Sequence, residues 1–269
     1  MIPKSLLKER LKWWLYPGIN LHARDRNRRL PPHFGRGDGG RRVLDAGCGN
    51  GMLAWQAYRL GNRVVGVTLK ENEAEGCRRL FHGLLRVPES ALSFEVHNLR
   101  DPAPLLERHG QFDEIICAEV IEHIVDDRRV CRSLWEMLRP GGVVHITTPN
   151  AEHPYNASFP LDRSESGGHV RAGYTAATFR ELLEPIGFEI GPVRGLGGPV
   201  RQAFNSRIKK VQERFGAPAG LPLFLLALPL LPLDRAEPPV PFSLYVQATK
   251  PQAESPTRDR AVSVSPDAE

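Results

Sequence analysis

A chain of 269 residues, 41% of them apolar, can bury one substantial core, so one domain with additions is expected rather than two. The net charge of +5 is uneven: residues 1–42 hold eleven Lys and Arg against three acids, so the basic character belongs to an N-terminal arm and not to the fold. Cys48, Cys77, Cys117 and Cys131 show no paired spacing, which argues against a disulfide scaffold and against structural zinc, and points to a reducing, cytoplasmic setting.

Residues 4–16 read as a short helix, with Lys4, Lys8 and Lys12 on one face and Leu7, Leu11, Trp14 and Leu15 on another. Such a helix suits a membrane interface or a lid over a ligand cleft. No charged-then-apolar leader with a small-residue cleavage site is expected. Pro17-Gly18 ends the helix, residues 21–30 are arginine-rich, and residues 31–40 read as a linker of turn residues. The first 40 residues are therefore expected to be a basic helix and linker.

Residues 43–51 then run from an apolar strand into Asp45 and a turn with glycine at 47, 49 and 51, followed by an apolar helix over 52–60. A dinucleotide fingerprint would need glycine where Met52 stands, which sets that class aside. A second buried strand is expected at 63–68, a helix at 71–85, a third strand at 92–97 and a fourth at 112–118. Glu119, Glu122 and His123 would open the next helix, sharing one face at i, i+3 and i+4. Residues 139–142 form a turn, 143–148 a fifth strand and 175–186 an amphipathic helix, and a sixth strand begins at 187. Strands alternating with helices imply a parallel sheet with right-handed crossovers.

Residues 199–215 carry a basic helical stretch, and residues 216–233 hold no charge at all. Pro218, Pro222, Pro229 and Pro232 argue against a membrane span there. The stretch reads instead as an insertion over 199–240 that covers an apolar pocket or rests on a bilayer. A last strand is expected at 241–250, and residues 251–269 have the composition of a disordered tail.

The run Asp-x-Gly-x-Gly-x-Gly at 45–51 resembles motif I of the class I S-adenosylmethionine (SAM) methyltransferases. So does Leu138-Arg139-Pro140-Gly141-Gly142, followed by a strand and Thr148-Pro149-Asn150. The resemblance spans about residues 30–250. It implies an α/β, Rossmann-like, seven-stranded, mostly parallel sheet with helices on both faces, a SAM-binding domain over 41–250 and the insertion before its last strand. SAM would lie against Asp45, Gly47, Cys48, Gly49, Gly51, Thr68, Leu69, Asn98, Leu99 and Glu119. Thr68 departs from the family, which usually has an acid there to accept both ribose hydroxyls; Glu71 or Glu73 could reach back instead. Asn98 stands where the family has an Asp for the adenine amino group, and is equally at home as a turn residue.

The string Glu119-Val120-Ile121-Glu122-His123 resembles the Glu-Val-Leu-Glu-His of ubiquinone-type O-methyltransferases. It also resembles the terminal ribose methyltransferases of small RNAs, in which two Glu, the His and a later His bind a divalent metal. Here that later residue would be His169. The reading adopted assigns His123, Glu122 and His169 to catalysis, assigns no metal ligand, and has the methyl group move to an oxygen of a small or lipid-like acceptor. Arg171 and Tyr174 are candidate substrate contacts. Peripheral membrane contact would run through residues 4–16 and 217–233. The rivals are metal-assisted ribose methylation of RNA, against which the apolar insertion speaks, and a non-catalytic subunit with a SAM fold.

Overall fold

A computed structural model describes residues 19–162, 164–165, 167–234 and 238–252. The expected helix at 4–16 lies outside the described residues, as does the expected tail beyond Gln252.

In chain order, helix α1 (Leu21–Arg29) precedes β1 (Arg42–Ala46), α2 (Met52–Arg59), β2 (Arg63–Thr68) and α3 (Glu71–Arg78), which continues as a π-helical turn over Arg79–Leu84. Then come β3 (Leu92–Val96), α4 (Ala103–His109), β4 (Phe112–Ala118), a 3-10 turn (Ile121–His123), α5 (Asp127–Met137), β5 (Leu138–Pro149) and the one-turn α6 (Pro154–Ala157). The chain continues through α7 (Ala176–Leu183), β6 (Glu189–Ile190), β7 (Arg194–Leu196), α8 (Pro199–Phe215), α9 (Leu221–Ala227) and β8 (Ser243–Thr249).

The sheet runs β3-β2-β1-β4-β5-β8-β6, with β7 beside β8. The first five strands pair in parallel, whereas β8 is antiparallel to β5, β6 and β7. The Val- and Ile-rich runs of β1, β2 and β4 are buried on both faces, as continuous apolar strands covered by helices must be. Leu105, Leu134, Met137 and Phe179 cover one face, and Phe34, Leu53, Phe81 and Phe94 cover the other. Strand order reverses between β1 and β4, and the crevice at their carboxyl ends is where such sheets bind ligands.

Two stretches gain an element and one expectation is corrected. First, the arginine-rich stretch at 21–30, given no element above, is a docked helix. Asn20 caps α1 by accepting the Ala23 N–H at 3.0 Å, and Leu21 packs with Ile208 and Phe224. Buried Asp25 meets Arg29 at 3.0 Å and Arg201 at 3.3 Å, and Arg201 reaches Asp234 at 3.0 Å. Second, Glu119, Glu122 and His123 do not share an α-helical face: Glu119 has φ +58°, a 3-10 turn follows, and α5 begins only where Asp126 accepts the Arg129 N–H. Third, the sheet gains an eighth strand, β7, three residues long with Gly195 at its centre.

Of residues 199–240, where an insertion is expected, 199–233 are largely helical, with Leu225 and Leu226 of α9 exposed. Among the described residues, no helix is long and apolar enough to cross a membrane.

Removing Arg201 leaves two buried carboxylates without their shared partner, a change that costs about 3–5 kcal/mol in comparable sites. Arg201→Met is therefore expected to lose stability of that order in urea unfolding; a loss under about 1 kcal/mol would show that the triad does not hold α1 to α8.

Candidate active site

The turn at 45–51 is held by hydrogen bonds to its neighbours. Asp45, at the buried end of β1, accepts the Ala54 N–H at 2.8 Å, while Gly47 and Cys48 both donate to the Val67 carbonyl at 2.9 and 2.8 Å. Burial pushes the Asp45 carboxyl up to about 7, against the opposing pull of the Ala54 N–H and of Arg26. Gly47, Gly49 and Gly51 all have left-handed φ, of 86°, 52° and 76°. A β-carbon on Gly47 would lie 2.4 Å from Val120, and one on Gly51 2.7 Å from Phe81. On Gly49 it would meet nothing within 4 Å, because that peptide faces an open cleft.

The cleft has a volume of about 520 Å³, within the roughly 300–1,000 Å³ of small-molecule sites. Gly47, Gly49, Thr68, Leu69, Asn98, Leu99 and Glu119 line it, whereas Asp45, Cys48 and Gly51 stand behind the lining and shape it. The Thr68 hydroxyl donates to Glu73 at 2.6 Å, so Glu73 is the carboxylate that reaches back; Glu71 turns away to Arg78 at 3.0 Å. The Asn98 side-chain oxygen accepts the Arg100 N–H at 3.1 Å, a turn bond that uses one of its two lone pairs. Arg100 and Glu165 also line the cleft and meet at 2.6 Å. Sequence reasoning missed this pair, and 65 residues of separation leave no local signal for it.

Glu119 stands where this cleft meets a second cavity of about 170 Å³, whose walls include His22, Tyr155, Phe159, His169 and Phe242. The left-handed backbone at Glu119 is held by its N–H, which donates to the Thr147 carbonyl at 2.8 Å, and its carboxylate lies 4.0 Å from Arg26 of α1. Glu122 is fully buried, and neither carboxylate oxygen has a hydrogen-bond partner among the described residues. Burial first, and then the Glu119 charge, raise its carboxyl well above the usual carboxylate range.

One ring nitrogen of His123, Nδ1, lies 2.9 Å from the Gly168 carbonyl, which can only accept. Nδ1 therefore carries a proton, so that in the neutral ring the free lone pair is on Nε2, 3.9 Å from Glu122. The Val170 N–H donates to the Glu122 carbonyl at 2.9 Å and so brings His169 edge-on to His123 at 4.7 Å. Burial, helped by His123 and Lys209, lowers His169 to about 4. The sequence-predicted Glu122, His123 and His169 thus converge, with donor atoms all within 4.8 Å of one another, and this set could hold a divalent ion. Glu119 stands apart from that trio.

Arg171 and Tyr174, the candidate substrate contacts, have polar partners within the fold. Arg171 donates to the Ile121 carbonyl at 2.9 Å and lies 2.7 Å from Asp127, and the Tyr174 hydroxyl is tied to both Arg171 and Asp127. The two brace the 3-10 turn from behind.

The family described as a methyltransferase domain matches residues 19–192. A ubiquinone biosynthesis O-methyltransferase from Bordetella avium is 36% identical over 180 residues, covering 62% of this chain and 70% of that protein. Phosphoethanolamine N-methyltransferase 2 from Haemonchus contortus, solved with S-adenosyl-L-methionine, superposes on 90% of this chain with a TM-score of 0.60 at 22% identity, and the match spans 56% of that longer chain. A SAM-dependent methyltransferase from Archaeoglobus fulgidus superposes on 93% of this chain and the whole of its own, with a TM-score of 0.55 at 18% identity.

His22 is held neutral: burial above all, with Lys209 and His153 adding to it, takes it from 6.5 down to about 3. A depressed histidine contributes stability that is full above the unfolded pKa and is lost as pH falls toward the folded one. Urea midpoints should therefore drop between pH 6.5 and 3, and less steeply in His22→Phe; parallel curves would reject the assignment. Gly47→Ala should cost more stability than Gly49→Ala, since both strain φ but only the first meets Val120.

Proposed function

We propose that this chain, which belongs to the methyltransferase-domain family and is a SAM-dependent enzyme, moves the methyl group to an oxygen of a small, lipid-like acceptor. The observation that carries this reading is the place of Glu119, at the junction of a cleft of donor size and a smaller, aromatic-walled cavity. The relative named for ubiquinone biosynthesis supports oxygen as the acceptor atom.

The cleft fits SAM. Glu73, steadied by Thr68, is placed to accept ribose hydroxyls, exposed Leu69 offers an apolar wall for the adenine, and the open Gly49 peptide lets the methionine part lie against the main chain. When bound, SAM supplies a methyl group on a cationic sulfur, open to in-line displacement. The protein's share is positioning, which can contribute roughly 7–11 kcal/mol when reacting atoms are held near contact. In this reading the acceptor hydroxyl gives its proton to Nε2 of His123 as its oxygen bonds to the methyl carbon. The Gly168 carbonyl fixes the histidine tautomer that can take the proton.

A second reading rests on the unpartnered oxygens of Glu122. Glu122, His123 and His169 would hold a divalent ion, which would orient the acceptor oxygen and lower its pKa. The apolar face of α9 offers a path for a lipid tail or a bilayer to lie along.

S-adenosylhomocysteine is expected to bind one-to-one in calorimetry, and Glu73→Ala to weaken it by roughly 10- to 100-fold, the scale of a hydrogen bond to a charged group. A short-tailed demethylubiquinol should gain one methyl group by mass spectrometry. His123→Ala should lower kcat by roughly 100-fold or more with cofactor binding intact. Activity unchanged in a strong chelator would retire the metal reading; activity lost in chelator and restored by a divalent ion would retire the base.

A further inference from the structure

Building on the methyl-transfer reading above, we propose that Glu165 is a positioning residue. Clasped by Arg100, it holds the segment 158–170 in place and so sets the Gly168 carbonyl on His123 and the His169 ring beside it. The first observation is what this segment lacks. Between Asn156 and Tyr174 no described residue is buried, and Phe159 and Leu161 stand exposed. Yet the segment supplies the carbonyl that lies 2.9 Å from Nδ1 of His123 and the histidine that meets His123 edge-on at 4.7 Å. A segment without buried apolar anchors opens at low cost unless polar contacts tie it down.

Those contacts converge on Glu165. Arg100 reaches both of its carboxylate oxygens, at 2.6 and 2.7 Å, and one of them also accepts the Val125 N–H, two residues past His123. Arg100 is itself fixed by its main chain: its N–H donates to the Asn98 side chain at 3.1 Å, and its carbonyl accepts from Arg129 of α5 at 3.3 Å. An ion pair reinforced in this way is stiffer than a lone surface pair. Glu165 has φ +53°, a backbone that a non-glycine residue keeps where its surroundings impose it.

The segment is also braced within itself, so that a displacement at 165 is carried to 168. The Asp162 N–H donates to the His169 carbonyl at 2.7 Å, and Asp162 accepts from the N–H and the hydroxyl of Ser164 at 2.9 and 2.7 Å. A β-carbon on Gly168 would lie 2.8 Å from Asp162, so these residues are in close contact. Although Glu165 lines the cofactor cleft, both of its oxygens are engaged, which separates this role from a contact with the cofactor.

The test uses the full chain labelled with nitrogen-15 at histidine, at about pH 8.5, where an ordinary histidine is neutral. The ring signals of His123, assigned by their loss in His123→Ala, should report a proton on Nδ1 in the native chain. In Glu165→Ala they should move to a mixture of the two tautomers. In Glu165→Gln, whose amide oxygen still accepts from Arg100 or Val125, they should stay. With a short-tailed demethylubiquinol, kcat should fall roughly tenfold or more in Glu165→Ala and by less than about threefold in Glu165→Gln, with affinity for S-adenosylhomocysteine within about threefold of native in both. An unchanged tautomer in Glu165→Ala would overturn the proposal. So would a loss of S-adenosylhomocysteine affinity as large as the loss in kcat, which would make Glu165 a cofactor contact. The two readings fail separately: a chain that shows the tautomer shift but never methylates would remove the methyl-transfer reading and leave Glu165 its role. A chain that methylates while its His123 signals ignore Glu165 would do the reverse.

Discussion

Val120 presses its side chain into the space that a β-carbon on Gly47 would fill, at 2.4 Å, and this contact sets the distance between the glycine turn and the segment carrying Glu119, Glu122 and His123. Each side of it is independently anchored. Gly47 and Cys48 hang from the Val67 carbonyl at the end of β2, and Glu119 hangs from the Thr147 carbonyl on β5. Close-packed interiors transmit displacement rather than absorb it. A shift of either segment would therefore move Glu119, which lines both cavities.

The same region concentrates electrostatic cost. Asp45 and Glu122 are carboxyls buried near the ends of adjacent strands, and both are driven toward the protonated form by lack of water. Asp45 is compensated by a backbone donor, Glu122 by none among the described residues. Buried, unpartnered acids reduce stability and are rarely kept in a core whose only task is to pack. Elsewhere in the fold comparable groups are neutralised in place: Asp25 and Asp234 share Arg201, and Glu114 is held by Arg41 at 2.7 Å and by His145 at 3.2 Å. The contrast sets Glu122 apart from the other buried acids of the described residues.

The sheet was legible because doubly buried strands must be nearly continuous apolar runs, and 43–46, 63–68 and 112–118 are such runs. The turn at 45–51 was legible because left-handed backbone in a packed setting leaves glycine as the low-strain residue. What escaped notice was decided by distant partners. The arginines of α1 carry no helical stripe strong enough to read, since its docking rests on Asp25 meeting Arg201 across 176 residues. The acid-rich string at 119–123 has helical spacing, yet the positive φ of Glu119 and the brace of Arg171 and Tyr174 impose a 3-10 turn. The resemblance named Glu122, His123 and His169 together, and the bond from Val170 to Glu122 explains why they meet.

One helix that lines the smaller cavity, α8, is spliced between β7 and β8, whereas the glycine turn and its supports come from the first half of the chain. Lineages descended from such a scaffold are free to lengthen, recharge or replace the spliced segment while the donor grip stays as it is. Divergence in what gets modified, with constancy in what does the modifying, is thus built into the order in which the chain is threaded.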